Sequence, residues 1–371
     1  MPFHHLRVKL SRLNWPILLL INLIAVIGFM TLYSAGGGEL NPWASRQAMR
    51  FGGGLIILMV VALSDMRVWY HYAYTIYAIS FALLIGVELA GRIGMGAQRW
   101  IDLYVFQLQP SELMKIALIL ALSRYYHGLS LTEVRKSSFL ITPLLLILLP
   151  AAFVLRQPDL GTAILLILGG GSLIFLAGIR LWKVAFVAVL TTLSAPFLWS
   201  NLRTYQKERV LTFLNPERDP LGSGYNILQS KIALGSGGIW GRGFMKGSQS
   251  HLNFLPEKQT DFIFSTFSEE FGMIGSAGLL ILYGILIGYG YKVSLKSRNT
   301  FGRFLAMGVT TVLSLYVFIN MAMVMGMVPA VGVPLPLISY GGTSMLTLLM
   351  GFGFLMSVDV HKDLRLGKTV L

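Results

Sequence analysis

Cysteine is absent from the 371-residue chain, which removes disulfides, thiolate nucleophiles and cysteine metal sites together. Charge is nearly as scarce. Only 12% of residues are charged against 55% that are hydrophobic, so a soluble globule with an ordinary wetted surface is excluded. Histidine occurs only at 4, 5, 71, 127, 251 and 361, a scatter that gives a zinc site little support. Also missing are a nucleotide-binding glycine fingerprint, a nucleophile elbow and an HExxH pair. The stretch GRGFMKGS, 241–248, places Lys ahead of Gly, the reverse of a phosphate loop, with no strand predicted before it.

What the chain has in quantity is apolar sequence. Runs of the length that crosses ~30 Å of hydrocarbon as helix recur throughout: 15–35, 47–64, 71–90, 111–126, 138–155, 159–179, 181–200, 262–290, 304–328 and 340–358. The fold class is therefore an all-α polytopic membrane protein of about ten spans, with 1–371 as a single membrane domain. The first run exceeds the 7–15 residues of a signal-peptide core, is followed by further spans, and is expected to be retained. A net charge of +14 would suggest nucleic acid in a soluble protein. Here Lys and Arg gather in the N-terminal segment, the even-numbered connections and the tail, whereas the short connections on the opposite side hold only Arg46, Arg50, Arg92, Arg99 and Arg156, the long segment between spans seven and eight being too long to vote on topology. That asymmetry places both termini in the cytoplasm, makes most of the charge topogenic, and implies no nucleic-acid partner.

The one large segment outside the spans, 201–262, falls between spans seven and eight on the extracytoplasmic side. Turn signals stand at Asn215-Pro216 and Asp219-Pro220-Leu221-Gly222. Tyr225, Leu228 and Ile232 follow at helical spacing, the pattern of a short helix lying on the bilayer surface. A connection of that length with its own structure is usually functional. A second irregular place, Met327 to Ser344, is broken by Pro329, Pro334, Pro336, Gly341 and Gly342. It reads either as a tight outer hairpin between spans nine and ten or as backbone at membrane depth that faces protein or a water-filled cavity.

Ionisable residues in or beside spans are functional candidates, and nearly all lie toward the outer ends. Arg99, in GAQRWIDL after span three, has the fork geometry to hold an anion or a lipid headgroup. In QPSELMKIA, Ser111 is a plausible N-cap, and Glu112 and Lys115 share a helix face. That pair reads either as mutual neutralisation that orients helices or as part of a site. Asp159, in RQPDLGTA, sits where a carboxylate suits a helix N-terminus. In FLPEKQTDFIF, Asp261 lies at the mouth of span eight, either as an N-cap or as a partly desolvated base, with Lys258 nearby opposing any upward shift. Glu269 and Glu270 follow roughly 12–14 Å further along the helix. One of them is expected to serve as a buried partner for another span, the other reading being a proton relay.

The ordered motifs GAQRWIDL, QPSELMKIA, QPDLGTA, DPLGSGYNILQSKIALGSGG, GRGF, FLPEKQTDFIF and GVPLPLISYGGTS together resemble the SEDS family (shape, elongation, division and sporulation). The likeness runs from about residue 15 to 360. The wording QSKIALGSGG and FLPEKQTDF, with the short tails, is closer to the elongation branch than to the division branch. The resemblance implies a ten-span peptidoglycan glycosyltransferase in the bacterial inner membrane, which polymerises lipid II at the outer face. It implies a class B penicillin-binding protein as crosslinking partner, alongside other membrane proteins of the elongation machinery. It also assigns Asp261 as the catalytic aspartate, Glu112 and Lys115 as the intramembrane pair, and Arg46, Arg99 and Asp159 as cavity residues. Joining a sugar 4-hydroxyl to an anomeric carbon with a lipid-pyrophosphate leaving group needs one base and cationic stabilisation. Arg99, Lys115, Lys258 or a divalent cation (Mg or Mn) could supply the latter. Two alternatives stand beside this reading: a lipid II flippase, against which the outward bias of charge argues, and a non-catalytic scaffold for the crosslinking enzyme.

Overall fold

Each of the ten apolar runs coincides with a helix in the computed structural model, which describes residues 9–90, 92–94, 97–102, 107–202, 204–218, 223–252 and 254–367. The turn expected at 219–222, and His4 and His5, lie outside the described residues. The long helices are α1 Trp15–Ala35, α2 Ala44–Leu63, α3 Met66–Ala90, α4 Pro110–Gly128, α6 Ser138–Arg156, α7 Leu160–Leu176, α8 Leu181–Asn201, α12 Ile263–Lys296, α13 Thr300–Val324 and α14 Thr343–Val360. Between them come the short α5 Leu131–Val134 and three helices of the 201–262 segment: α9 Thr204–Leu214, α10 Ser223–Gly237 and α11 Ser248–His251.

Seven of these helices are long and apolar enough to cross a membrane; α7 and the apolar stretch of α8 are shorter. α4 is diluted by Glu112, Lys115, Arg124 and His127. The packing has the membrane signature. On α1, Ile17, Ile21, Ile24 and Leu32 are buried, yet the opposite face carries exposed Leu19, Leu23, Val26 and Met30. A helix in water would present polar side chains there. α8 is the extreme case, with Phe186, Val187, Leu190, Leu193 and Phe197 all exposed.

The expectation of an entirely helical chain is corrected after α3. Strands β1 Arg92–Gly94, β2 Ala97–Asp102 and β3 Gln107–Leu108 form a small antiparallel sheet in the order β1-β2-β3. Arg99 thus rides on a strand, not a loop. Ser111 is not the N-cap of α4 either: Gln109 holds that place, Pro110 opens the helix, and Ser111 is buried in its first turn. The helix expected around Tyr225 is α10, but its packed face is Gly224, Ile227, Ser230, Ala233 and Gly237, while Ile232 is exposed. It docks on protein, with Ser230 Oγ donating to the Val324 carbonyl at 2.9 Å.

α12 is broken by Gly272, whose φ of 64° is left-handed. The backbone groups freed by the break are taken by the outer segment. Arg242 N and Gly243 N donate to the carbonyls of Glu269 and Glu270, both at 3.0 Å. In return, Met273 N and Ile274 N donate to Gly238 and Ile239 at 2.9 and 3.2 Å. Such close backbone approach needs glycine: a Cβ on Gly241 would stand 2.1 Å from the Glu270 carbonyl oxygen.

The irregular 325–342 stretch turns inward, with Val333, Leu335, Leu337 and Ile338 buried. Its backbone is satisfied by side chains, as buried irregular backbone requires. Asn320 donates to Val333 O at 2.7 Å, Gln47 to Ser339 O at 2.8 Å, and Tyr283 to Pro336 O. Of the two readings, buried backbone is the one realised.

Candidate active site

The amino ends of α2, α4, α7, α12 and α14 meet at one end of the bundle. Gln109, just before α4, donates to Asp159 at 3.1 Å, and its own N–H reaches Thr343 Oγ1 of α14 at 3.3 Å. Gln47 of α2 bonds the 325–342 stretch. The positive ends of these helix dipoles therefore converge.

Asp261 lies at the centre of that convergence, in the turn between Pro256 and α12. Three consecutive carbonyls fix the turn: Gln259 O accepts from Tyr340 N at 2.8 Å, Thr260 O from Ser339 Oγ at 2.6 Å, and Asp261 O from Asn320 Nδ2 at 2.9 Å. The Asp261 backbone is tied down, and among the described residues no hydrogen bond or ion pair engages its carboxylate. Asp261 is not an N-cap, since Phe262 occupies that place and supplies no capping side chain. Gly332, at φ 74°, faces the carboxylate: a Cβ there would lie 3.4 Å from Oδ2. Burial pushes the Asp261 carboxyl up to about 6, Glu257 and Asp159 add to the rise, and Arg209 and Arg99 oppose it. Arg209, from α9, is a member that sequence reasoning missed.

Asp159 is the N-cap of α7, accepting from Thr162 N at 3.1 Å and Thr162 Oγ1 at 2.9 Å. Capping and proximity to Asp261 are thus both realised. Arg99 reaches across from β2 and donates from Nε to Gln157 O at 3.0 Å and from Nη2 to Pro158 O. That anchors its charge beside Asp159. Lys258 turns elsewhere and lies 5.9 Å from the Trp43 ring; burial lowers its pKa. Arg46 is exposed, and its helix neighbours Gln47 and Arg50 are the ones that touch the irregular stretch. Arg50 stacks 4.7 Å over the Tyr340 ring.

Glu112 and Lys115 are brought together but one turn further in. Their ion pair is 2.5 Å, both are buried, and Tyr316 and Thr347 complete it. The pair lines an interior cavity that also reaches Ser339 and Leu335, so one wall of that cavity is the stretch that holds Asp261. Glu269 and Glu270 are accounted for by packing. Glu270 accepts from Ser34 of α1, and Glu269 accepts from Ser236, Ser248 and the Gln249 amide of the outer segment. Asn320, Tyr316 and Thr347 were legible only as isolated polar atoms in apolar runs. Arg209 had no such signal.

No group of three or more carboxylate or imidazole ligands occurs among the described residues. A divalent cation thus finds no protein-only cage among them.

The FTSW_RODA_SPOVE family of cell cycle proteins matches residues 10–364. The peptidoglycan glycosyltransferase MrdB of Escherichia coli K12 is 43% identical over 358 residues, covering 96% of this chain and 95% of that protein. A chain of a peptidoglycan synthase complex, solved in a study of how polymerization and crosslinking are coordinated, superposes with a TM-score of 0.81. It is 34% identical and covers 94% of this chain and 98% of its own. The rod shape determining protein RodA of Thermus thermophilus superposes with a TM-score of 0.72 at 27% identity, covering 95% and 98%.

Proposed function

This chain belongs to the FTSW_RODA_SPOVE family of cell cycle proteins, and we propose that the cluster around Asp261 is where it joins lipid-linked sugars into glycan strands. The protein is a membrane-embedded peptidoglycan glycosyltransferase that serves cell elongation and rod shape. The observation that carries the residue assignment is the Asp261 turn. Its backbone is pinned by three bonds, its carboxylate is left available, and its pKa lies close enough to working pH for a general base.

The Asp261 carboxylate takes the proton of the acceptor 4-hydroxyl as that oxygen attacks the anomeric carbon of the donor. The bond from that carbon to the lipid pyrophosphate breaks on the opposite face, and configuration inverts. The leaving group departs as an anion and needs no acid, only positive charge. Arg99 and Arg209 beside Asp261, with the converging helix amino ends, provide it. Glu112 and Lys115 neutralise each other beneath the cluster and hold α4 against α13 and α14; Asp159 positions α7 and Gln109. Lys258 lies toward Trp43, just ahead of α2, and Arg46 is exposed on that helix.

Ten crossings, both termini in the cytoplasm and an extracytoplasmic 201–262 segment complete this reading. The charge asymmetry supports it, as does the shared orientation of the helix starts. A class B penicillin-binding protein is the partner that this polymerase would feed, together with other membrane proteins of the elongation machinery. The synthase complex that resembles this chain supports that pairing.

The test is glycan synthesis from fluorescent lipid II by the wild type and Asp261→Ala, each with its crosslinking partner, and by the partner alone. Long chains from the wild type and none from a folded, partner-bound Asp261→Ala are expected. Equal chains from both would remove Asp261 from the mechanism. No chains from either would return the weight to a flippase or a scaffold.

A further inference from the structure

At the end of the bundle away from Asp261, two connections converge on a strongly positive pocket. α4 and α7 both start beside Asp159, and after 19 and 17 residues respectively they deliver the chain to these connections, about 26–28 Å away at 1.5 Å per residue. Arg135, Lys136 and Ser137 come from the first, and Arg180, Trp182 and Lys183 from the second. They line a pocket of about 480 Å³ that is open to solvent, more than a single ion needs. Topogenic charge explains why cations lie on this side, but not why four of them face one space.

Three further observations point to an anion. Among the described residues no carboxylate lines the pocket; the nearest in sequence, Glu133, is held in a capping box by Ser130 N at 2.8 Å and Ser130 Oγ at 2.7 Å. α6 and α8 both begin here, and their N-cap residues, Ser137 and Arg180, give no side-chain bond to the first-turn amides. Two helix amino ends thus add positive dipole to the cations. Lys183 is buried and donates to Arg135 O at 2.7 Å, so the pocket is a fixed joint between the two connections.

The surroundings identify the kind of anion. Leu131, Leu181 and Trp182 stand exposed at the rim, and α8 continues from it with Phe186, Val187 and Leu190 exposed. A soluble phosphate compound has no use for that apolar wall, whereas acyl chains cover it, and an indole beside a cationic pocket suits the bilayer interface. We propose that this pocket binds the headgroup of an anionic phospholipid, whose acyl chains lie along α8, in the leaflet opposite the one Asp261 faces. The site uses none of the residues assigned to glycan synthesis, so it stands or falls independently of that reading.

The test is performed on the full chain, delipidated in neutral detergent. Dioctanoyl phosphatidylglycerol is titrated while adducts are read by native mass spectrometry and the melting temperature is followed. Wild type should take up one lipid saturably and melt higher. Exposed-site variants Arg135→Gln with Arg180→Gln should bind at least tenfold more weakly, whereas Lys292→Gln with Lys296→Gln, at the same end of the bundle, should bind like wild type. Should the double variant fail to fold, the single Lys136→Gln carries the comparison, with at least a threefold loss expected. No adduct on wild type, undiminished binding by the pocket variants, or equal binding of dioctanoyl phosphatidylcholine would overturn the proposal. So would glycerophosphate alone reproducing the shift, which would make the ligand a soluble phosphate compound.

Discussion

As the proposed base, Asp261 has to meet two demands that conflict in water: its carboxylate must be available to a hydroxyl, yet basic enough to take its proton. Burial meets the second, and the three carbonyl bonds of its turn meet the first without engaging the side chain. With the carboxyl raised to about 6, the polymerisation rate should climb as pH rises through 6 and level off above 7, measured as initial glycan synthesis at fixed lipid II. Arg209 holds that value down, so Arg209→Ala should move the midpoint upward as well as lower the plateau. Stability runs the other way. Between the ordinary carboxylate range and about pH 6, the folded chain keeps a proton that the unfolded chain has released. Stability therefore falls as pH rises through that window and stays lower above it. Asp261→Asn should accordingly melt higher than wild type at pH 8, the gain vanishing by pH 4; a gain that did not depend on pH would place its origin elsewhere.

At the scale of elements, the buried pair on α4 distinguishes packing from chemistry. Lys115→Met leaves Glu112 charged among Tyr316 and Thr347, and removing one partner of a buried pair costs about 3–5 kcal/mol. Lys115→Met combined with Glu112→Gln should recover much of that loss in thermal or denaturant unfolding, because no unpaired charge remains. The helices were legible in sequence because each needs only its own apolar run. Asp261, Asp159 and Arg99 were legible because charge beside hydrocarbon is rare. What could not be read is whatever depends on partners distant in the chain. Arg209 looks like any solvated arginine until the fold brings it close enough to act on the Asp261 carboxyl. The strands around Arg99 are too short for alternation to stand out, and the depth given to Glu269 and Glu270 assumed bare helix where the outer segment wraps it. Asn320 touches Asp261 across 59 residues, a separation that no local pattern encodes.

For the whole molecule, the amino ends of α2, α4, α7, α12 and α14 gather near Asp261 and the basic connections gather at the far end, so the orientation in the membrane is set once for the entire bundle. The absence of cysteine makes this simple to measure. In spheroplasts, a membrane-impermeant maleimide should label Trp240→Cys and leave Leu366→Cys untouched until the membrane is opened; the reverse pattern would invert the proposed topology.

The joint at Gly272 has a consequence for biosynthesis. The broken turn of α12 has four backbone groups that hydrocarbon cannot satisfy, and their partners, Gly238 to Gly243, come earlier in the chain. The ribosome therefore releases the clasp before the helix that requires it, and α12 can be completed as it enters the bilayer. A rearranged gene that placed α12 ahead of residues 238–243 would encode the same contacts in the wrong order. Its product would meet the translocon with that helix still unclasped.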